Sequence, residues 1–269
     1  MSTATPNASI SVCVVTKNEA HNIVACLTSV AWADEIIVID SESTDNTVEL
    51  CRRFTDKITV MPWQGCGPQR EIIYDSATCD WVLLLDADER VTPQLAAEIQ
   101  AILKNPTCNA YEIPFQSYYC GKRIRFGDWM NEKHIRLLKR DQCKIIPRLV
   151  HFGLEVNGKV GRLQHCIIHY SFPNVTTVIN KMHSYSTAGA LHKFNEGKTA
   201  SFGSAVGHGL FAFLRGYIFR FGFLDGRQGF MLAVSNAEGA YYKYVKMLEL
   251  QLNAQHTAAV AKTDPQAAA

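Results

Sequence analysis

Several signals that would have assigned this 269-residue chain to a class are missing from it. None of its nine cysteines stands in a C-x-x-C pair, and successive ones (13, 26, 51, 66, 79, 108, 120, 143 and 166) are 12 to 29 residues apart. Structural zinc sites and redox pairs need close spacing, so neither is expected. The cysteines are odd in number and mostly flanked by apolar residues. That points to small core hydrophobes in a reducing cytoplasm rather than a disulfide framework. No stretch of 18 uncharged apolar residues occurs, which argues against a membrane-spanning helix. No basic segment precedes the first apolar run, so no signal peptide is expected. There is no internal repeat.

Charge is present but unevenly placed. The formal net charge is +2. Residues 1–110 carry 7 Lys/Arg against 15 Asp/Glu, a net of −8, and residues 111–269 carry 20 against 10, a net of +10. Within 120–150 alone there are nine basic and three acidic residues. An acidic half followed by a basic half suggests two tasks, with an anion handled by the second. No nucleic-acid-binding motif accompanies the basic segment, so nucleic acid is not expected as a partner.

Apolar runs and amphipathic stretches alternate through the first 104 residues. ISVCVV (10–15), EIIVID (35–40), ITVMP (58–62) and WVLLLD (81–86) read as strands. Helical patterns follow them around Ile23–Val30, Val48–Phe54 and Gln69–Ala77, and after Thr92, which can cap a helix opened by Pro93 and running to about Lys104. This is the rhythm of a doubly wound parallel sheet, whose ligands bind beyond the carboxyl ends of the strands. Thr16–Glu19, Asp40–Asp45 and Asp86–Glu89 fall at those ends, so three polar clusters are expected on one rim. Past residue 110 the alternation gives way to short strands and loops, then to a helical pattern over about 174–252 interrupted by a Gly-rich interval at 197–209. In that region, 207–224 crowds six aromatics around Arg215 and Arg220. It reads either as a core helix with a turn or as an interfacial helix that sets aromatics and arginines at an anionic membrane surface.

Two constellations carry chemistry. In LLLDADER, Asp86 and Asp88 follow a buried strand, where paired carboxylates suit a divalent ion bridging phosphate oxygens. DSESTDNT (40–47) reads as a turn and helix cap built on Ser43 or Asp45. It also leaves Asp40 at a strand end, where a carboxylate can accept the N3–H of a uracil-like base.

TKNEAHNI, WADEIIVIDSESTDNT, WQGCGPQR and DWVLLLDADERVTP, in that order and spacing, resemble the nucleotide-sugar half of glycosyltransferase family 2. Trp129-x-x-Glu132, IRLLKR, LVHFGLEVNGKVGRL, HYSF and GFLDGRQGFMLAVSNAEGAYYKY resemble its lipopolysaccharide-core β-glucosyltransferase branch, and the likeness covers roughly residues 8 to 250. It implies an α/β GT-A fold, a Rossmann-like mostly parallel sheet flanked by helices, with a helical, partly amphipathic C-terminal extension. The expected divisions are 8–110 for the nucleotide-sugar half, 111–172 for the acceptor-binding and catalytic half of the same domain, 173–252 for the extension, and 253–269 for a flexible tail.

The resemblance also implies inverting transfer of a hexose, glucose by preference, from a UDP-sugar to a saccharide hydroxyl, with Mg²⁺ or Mn²⁺ as cofactor. The implied acceptor is inner-core heptose of lipopolysaccharide, an anionic glycolipid met at the cytoplasmic face of the inner membrane. Thr16, Asn18, Glu19, Asp40 and Ser43 would line the nucleoside pocket, with Gln69 and Arg70 near the nucleotide or its diphosphate. Asp88 would be the main metal ligand, with Asp86 assisting it or facing the ribose or sugar. Trp129, Arg136 and His151 would contribute to substrate binding.

An inverting reaction needs a general base facing the acceptor. Glu132 stands where the branch has Trp-x-x-Asp and ranks first, followed by Asp128 and Glu155. The branch commonly reads Val-His-Glu where this chain has Val150-His151-Phe152. His169, His183 and His208 are expected as structural or acceptor-side polar groups rather than metal ligands. Two rivals are weaker. A haloacid-dehalogenase-type phosphohydrolase places its D-x-D on the first strand, whereas here it ends the fourth. A non-catalytic nucleotide-sugar-binding protein would not need Asp40, Arg70, Asp86 and Asp88 together. Within the family, another lipid-linked or capsular saccharide is the alternative acceptor.

Overall fold

The computed structural model describes residues 8–147 and 153–263, with side chains described up to residue 257. Arg148, His151 and Phe152 lie outside the described residues, so the expectation for His151 and the departure at Phe152 have no structural counterpart here.

In chain order the elements are β1 (Ile10–Thr16), α1 (Ile23–Thr28), β2 (Glu35–Asp40), α2 (Thr47–Cys51), β3 (Ile58–Val60), α3 (Cys66–Asp75), β4 (Trp81–Asp86), β5 (Glu89–Val91) and α4 (Pro93–Lys104). They continue as β6 (Ala110–Tyr119), β7 (Lys122–Arg123), β8 (Lys133–Lys139), β9 (Cys143–Ile146), β10 (Gly153–Val156), β11 (Val160–Arg162), β12 (Ile167–Phe172), α5 (Val175–Asn195), α6 (Phe202–Leu214) and α7 (Gly226–Thr263). The chain forms two compact units, Met1–Tyr118 with Asn131–Ser171, and Tyr119–Met130 with Phe172–Ala269.

The first unit is built on one sheet with the order β3-β2-β1-β4-β8-β6-β12-β5. Strands β3, β2, β1 and β4 run parallel, and β8 joins β4 antiparallel. Every residue of β4 before Asp86 is fully buried. A parallel sheet covered on both faces demands such uninterrupted apolar runs. Alternation then divides them: Val12, Val14, Val38, Leu83 and Leu85 join one core cluster, while Cys13, Ile37, Ile39, Val82 and Leu84 join another. Cys13, Cys26 and Cys51 are buried core hydrophobes, whereas the other six cysteines, expected mostly in the core, are only half-buried, and burial pushes the Cys13 and Cys26 thiols far above their usual range.

Register aligns the strand ends. Thr16 pairs with Asp40 across β1 and β2, and Val15 pairs with Asp86 across β1 and β4. The expected convergence of three polar clusters on one rim follows directly. Helix α4 begins as read from the sequence, with the Thr92 side chain accepting the Leu95 amide and Pro93 in the first turn. Strand β5 was not anticipated: three residues straight after the D-x-D turn pair antiparallel with β12.

The second unit packs α5 and α6 on the long α7. Its apolar centre holds Tyr119, Ile124, Val178 and Leu232, with Trp129 stacked on Phe172 at 5.7 Å between ring centroids. The Gly-rich interval read as a break is partly helix, because Gly203, Gly207 and Gly209 all lie within α6. Helix-interior glycine is costly, but at Gly209 an added Cβ would come within 3.1 Å of the Tyr241 Cβ and 3.3 Å of the Ala237 carbonyl oxygen. Close approach of α6 to α7 requires the missing side chain. Ser201 and Ser204 close a reciprocal capping box that starts the helix. Helix α7 continues to Thr263, through residues whose lack of apolar periodicity led to an expected tail, and 264–269 lie outside the described residues.

A buried acid fastens the far edge of the first unit. Glu35 is 7% exposed and accepts hydrogen bonds from Ser11, Lys57 and Thr78. Burial alone would raise its pKa, but these donors outweigh it and bring the group from 4.5 down to about 2. A folded-state pKa below the unfolded value stabilises the fold above the unfolded pKa, and that contribution fades as pH falls from about 4.5 toward 2. Glu35→Gln is therefore expected to lower stability at pH 7 by about 1–3 kcal/mol and to flatten the acid limb of the stability curve. Urea melts of both proteins at several pH values between neutrality and pH 3 check both effects.

Candidate active site

The loops after β1 and β2 are buttoned together. The Asn18 amide donates to Ser43 Oγ at 2.7 Å, and Asn18 Oδ1 accepts the Thr44 amide at 2.7 Å. Asn18 and Glu42 adopt left-handed backbone at φ 53° and 58°, a local cost that these bonds offset. Asp40 is fully buried, with Oδ1 accepting the Ser43 amide at 2.7 Å and Oδ2 accepting the Ser43 hydroxyl at 2.5 Å. These bonds close a turn on Asp40, and Asp45 Oδ1 accepts the Thr47 amide at 3.0 Å where α2 begins. The Glu19 amide donates to Thr47 Oγ1, and the Glu19 carboxylate accepts from Asn22. Thr16 Oγ1 is buried with no hydrogen-bond partner among the described residues, a polar atom left over at the floor of the rim. Gln69 is fully buried, donates to Ser41 Oγ and accepts the Gln64 amide. It shapes the rim from beneath.

At the end of β4 the charges are dense. Arg70 from α3 donates to the Leu85 carbonyl at 3.0 Å and to Asp86 Oδ1. Arg136 from β8 donates to Asp86 Oδ2 at 3.2 Å and to Glu89 Oε1 at 2.8 Å. Glu89 is fully buried, and its other oxygen accepts the Asp86 amide at 2.9 Å. Burial works against ionising Asp86, but Arg70 and then Arg136 outweigh it and hold the carboxyl far below its usual range. Glu89 is pushed up by burial, with the nearby Asp86 and Asp88 adding to the effect. Arg136 Nε and Nη1 are buried without hydrogen-bond partners among the described residues, and the guanidinium lies over the Phe115 ring at 5.5 Å. Arg90 buttresses the turn through the Ala87 and Glu89 carbonyls and Asn22 Oδ1.

Asp88 points differently from Asp86. His169 Nε2 on β12 lies 3.6 Å from Asp88 Oδ2, brought there by the pairing of His169 with Glu89 across β12 and β5. Burial would lower the imidazole pKa, yet the hydrogen bond and charge of Asp88, with Glu89 and Asp86 behind it, raise it to about 9. The carboxylate–imidazole pair tests the expected metal. Among the described residues no group of three or more His, Cys, Asp or Glu is arranged to hold an ion. Two protein donors suffice for Mg²⁺ or Mn²⁺, which keep waters and take remaining oxygens from substrate phosphates. Asp88 fits that pattern directly, and His169 fits it once a bound ion displaces its proton, because a ligating imidazole must be neutral. Asp86 fits it less well, since each of its oxygens already holds a guanidinium.

Glu132 enters β8 with Oε2 accepting the Ser117 hydroxyl at 2.6 Å and Oε1 lying 3.2 Å from His134 Nε2. Burial raises its pKa, but the bonds from His134 and Ser117, with the charge of His169, bring it below the usual carboxylate value. Phe115 meets His134 and His169 edge-on at 5.0 and 5.9 Å. Glu132, His169, Asp88, Arg136 and Asp86 therefore belong to one cluster in the first unit. Glu89 was missed as a site residue in the sequence, and His169, expected as a structural or acceptor-side group rather than a metal ligand, stands beside Asp88. The only signals for them were a third acid in the D-x-D turn and a histidine in the last strand.

Residues 11–153 match the sequence model of the family described as Glycosyl transferase family 2. The chain belongs to glycosyltransferase family 2. An uncharacterised glycosyltransferase of Rickettsia typhi is 30% identical over 93% of this chain and 90% of its own length. The lipopolysaccharide core biosynthesis glycosyltransferase LpsC of Rhizobium meliloti is 25% identical over 91% of this chain and 93% of its own. Residues 1–349 of S. aureus TarS overlay with a TM-score of 0.45 at 17% identity, over 61% of this chain and 60% of that one. The α/β sheet and helical C-terminus of this family 2 glycosyltransferase agree with the GT-A expectation.

The remaining candidates of the glycosyltransferase lie apart from that cluster in role. Glu155 is exposed on β10, opposite Lys144 of β9. Trp129 packs with Tyr119 and Phe172 in the second unit. Asp128, also in the second unit, accepts Arg215 Nε and Nη2 at 2.9 Å each, Arg220 Nη1 at 3.2 Å and Asn236 Nδ2 at 3.1 Å. A carboxylate so occupied is a structural tie. Asp128→Ala is expected to lower stability by about 1–3 kcal/mol while activity per folded molecule stays near that of the unaltered chain. Thermal melts alongside turnover measurements decide: a large fall in turnover at unchanged melting temperature would make Asp128 the base instead.

Proposed function

We propose that this glycosyltransferase moves a hexose, glucose by preference, from a UDP-sugar to a hydroxyl of an anionic saccharide, with inversion. The acceptor in this reading is inner-core heptose of lipopolysaccharide. The observation that carries it is the cluster on the sheet rim: a carboxylate–imidazole pair at Asp88 and His169, beside an ionised Glu132 held by Ser117 and His134. The similarity to LpsC supports the choice of acceptor.

Each residue has a task in this scheme. Thr16, Asn18, Glu19 and Ser43 seat the nucleoside on loops already fixed to each other, and Asp40 and Gln69 hold those loops in place. Preorganised groups lose little on binding. Asp88 and His169 would hold Mg²⁺ or Mn²⁺, which supplies positive charge against the leaving diphosphate. Arg70 and Arg136 keep Asp86 ionised and oriented beside the sugar. Glu132 takes the proton from the acceptor hydroxyl as it attacks the anomeric carbon from the face opposite UDP, so the configuration inverts. An ionised carboxylate can take this proton, because the hydroxyl becomes acidic as its bond to carbon forms.

Incubation with UDP-glucose, Mn²⁺ and heptose-terminated core oligosaccharide, read by mass spectrometry, should show the acceptor gaining one hexose; a donor screen then ranks the sugars. UDP bound tightly with no transfer to any acceptor would contradict the proposal. Two variants partition the roles. Asp88→Asn is expected to lower turnover by about 10²–10³ and to weaken Mn²⁺-dependent UDP binding. Glu132→Gln is expected to lower kcat by about 10²–10⁴ with the KM for UDP-sugar nearly unchanged. Unimpaired turnover in either variant would remove that residue from its assigned role.

A further inference from the structure

The second unit carries apolar surface that its own core does not use. Phe202, Val206 and Leu210 recur every fourth residue on one side of α6 and are 64%, 45% and 58% exposed. Beyond α6 the chain makes a π-helical turn, Arg215–Phe219, and a 3₁₀ turn, Gly222–Asp225, which add the exposed rings of Phe219, Phe221 and Phe223. Single exposed hydrophobics are ordinary, but a continuous set along one helix and its following turn marks an interaction surface. Two backbone features at its tip agree. Turns of π-helix inside helices concentrate at functional sites. Phe221 also sits in left-handed backbone at φ 57°, where a bulky residue is strained, so its exposed ring is retained at a cost.

The tip is fixed to a basic strip. Asp225 Oδ2 accepts the amides of Arg125 and Phe126 at 2.8 Å each, and the Arg220 carbonyl accepts the Gly127 amide at 2.8 Å. These bonds hold the exposed Arg123 and Arg125 beside the aromatic turn. Arg215 and Arg220 are committed to Asp128. Arg123, Arg125 and Arg227 have no carboxylate within ion-pair distance among the described residues. Between residues 197 and 237 the one acidic side chain is Asp225, which is buried. The segment is therefore apolar, aromatic at its tip, flanked by arginine and without an exposed carboxylate of its own.

We propose that α6 and the turn at 215–226 dock on an anionic phospholipid surface, with the aromatic rings inserted at the headgroup boundary and the arginines on lipid phosphates. The charge pattern selects this occupant. A second copy of the chain would set the same arginines against each other, whereas an anionic bilayer offers negative charge above an apolar layer. No described helix is long and apolar enough to cross a membrane, so the segment lies along the interface.

Co-sedimentation with vesicles of phosphatidylglycerol and phosphatidylethanolamine, compared with phosphatidylcholine alone, tests the proposal on the full chain. Binding is expected to the anionic vesicles, weakening as added salt screens the arginines. Phe219→Ser with Phe221→Gly removes two rings, and glycine relieves the left-handed strain at 221, so the fold should be kept. This double variant should bind about tenfold more weakly or worse, with a melting temperature no lower than that of the unaltered chain. Arg123→Gln with Arg125→Gln should erase the preference for anionic vesicles. Failure of the unaltered chain to bind, or equal binding by the double aromatic variant, would overturn the proposal. So would sedimentation velocity showing, without vesicles, a dimer that the aromatic variant loses. The assay contains neither donor nor acceptor, so its outcome is separate from that of the transfer reaction.

Discussion

Asp86 ends the central strand β4 with a carboxylate whose two oxygens are held by two guanidinium groups, Arg70 from α3 and Arg136 from β8. Removing such charges from water is expensive unless each finds a partner, and loss of one partner strands the others. Here the compensation continues inward, with Glu89 holding Arg136 and the Asp86 amide. One carboxylate thereby fixes where a helix, an antiparallel strand and the D-x-D turn meet. The same arrangement separates the two aspartates. Asp86 is committed to arginine, and Asp88, two residues on, faces His169 at the cluster that also contains Glu132.

The division of charge along the sequence acquires a physical meaning in this light. The acidic first half includes the carboxylates of the sheet rim, where arginine and histidine meet them. The basic second half is not one surface. Arg136 is nine-tenths buried and serves Asp86, and Arg215 and Arg220 serve Asp128. Arg123, Arg125 and Arg227 remain on the exposed face of the helical unit. These arginines therefore differ in their partners, and Arg123, Arg125 and Arg227 have no carboxylate partner among the described residues.

Much of the sheet was legible because burial on both faces leaves runs such as VCVV and WVLLL that few other structures require. The rim was legible because polar clusters stand directly after those runs. What stayed hidden depends on contacts distant in sequence. Strand β5 is only three residues long and exists through its pairing with β12, which is also how His169 reaches Asp88. The burial of Glu89 depends on Arg136, supplied by the antiparallel strand β8. The glycines of α6 looked like a break, because local propensity disfavours them and only contact with Tyr241 on α7 explains Gly209. Asp128 and Glu132 looked alike as candidate bases four residues apart. Their partners differ completely: two arginines and Asn236 for one, Ser117 and His134 for the other.

The central claim is the division of labour between Asp86 and Asp88. A crystal structure of the chain with UDP and Mn²⁺, with the ion located by its anomalous scattering, tests it most directly. The account predicts manganese bonded to Asp88 and His169 and to diphosphate oxygens, with Asp86 still paired to Arg70 and Arg136. Manganese bonded through Asp86, with either arginine displaced, would contradict it.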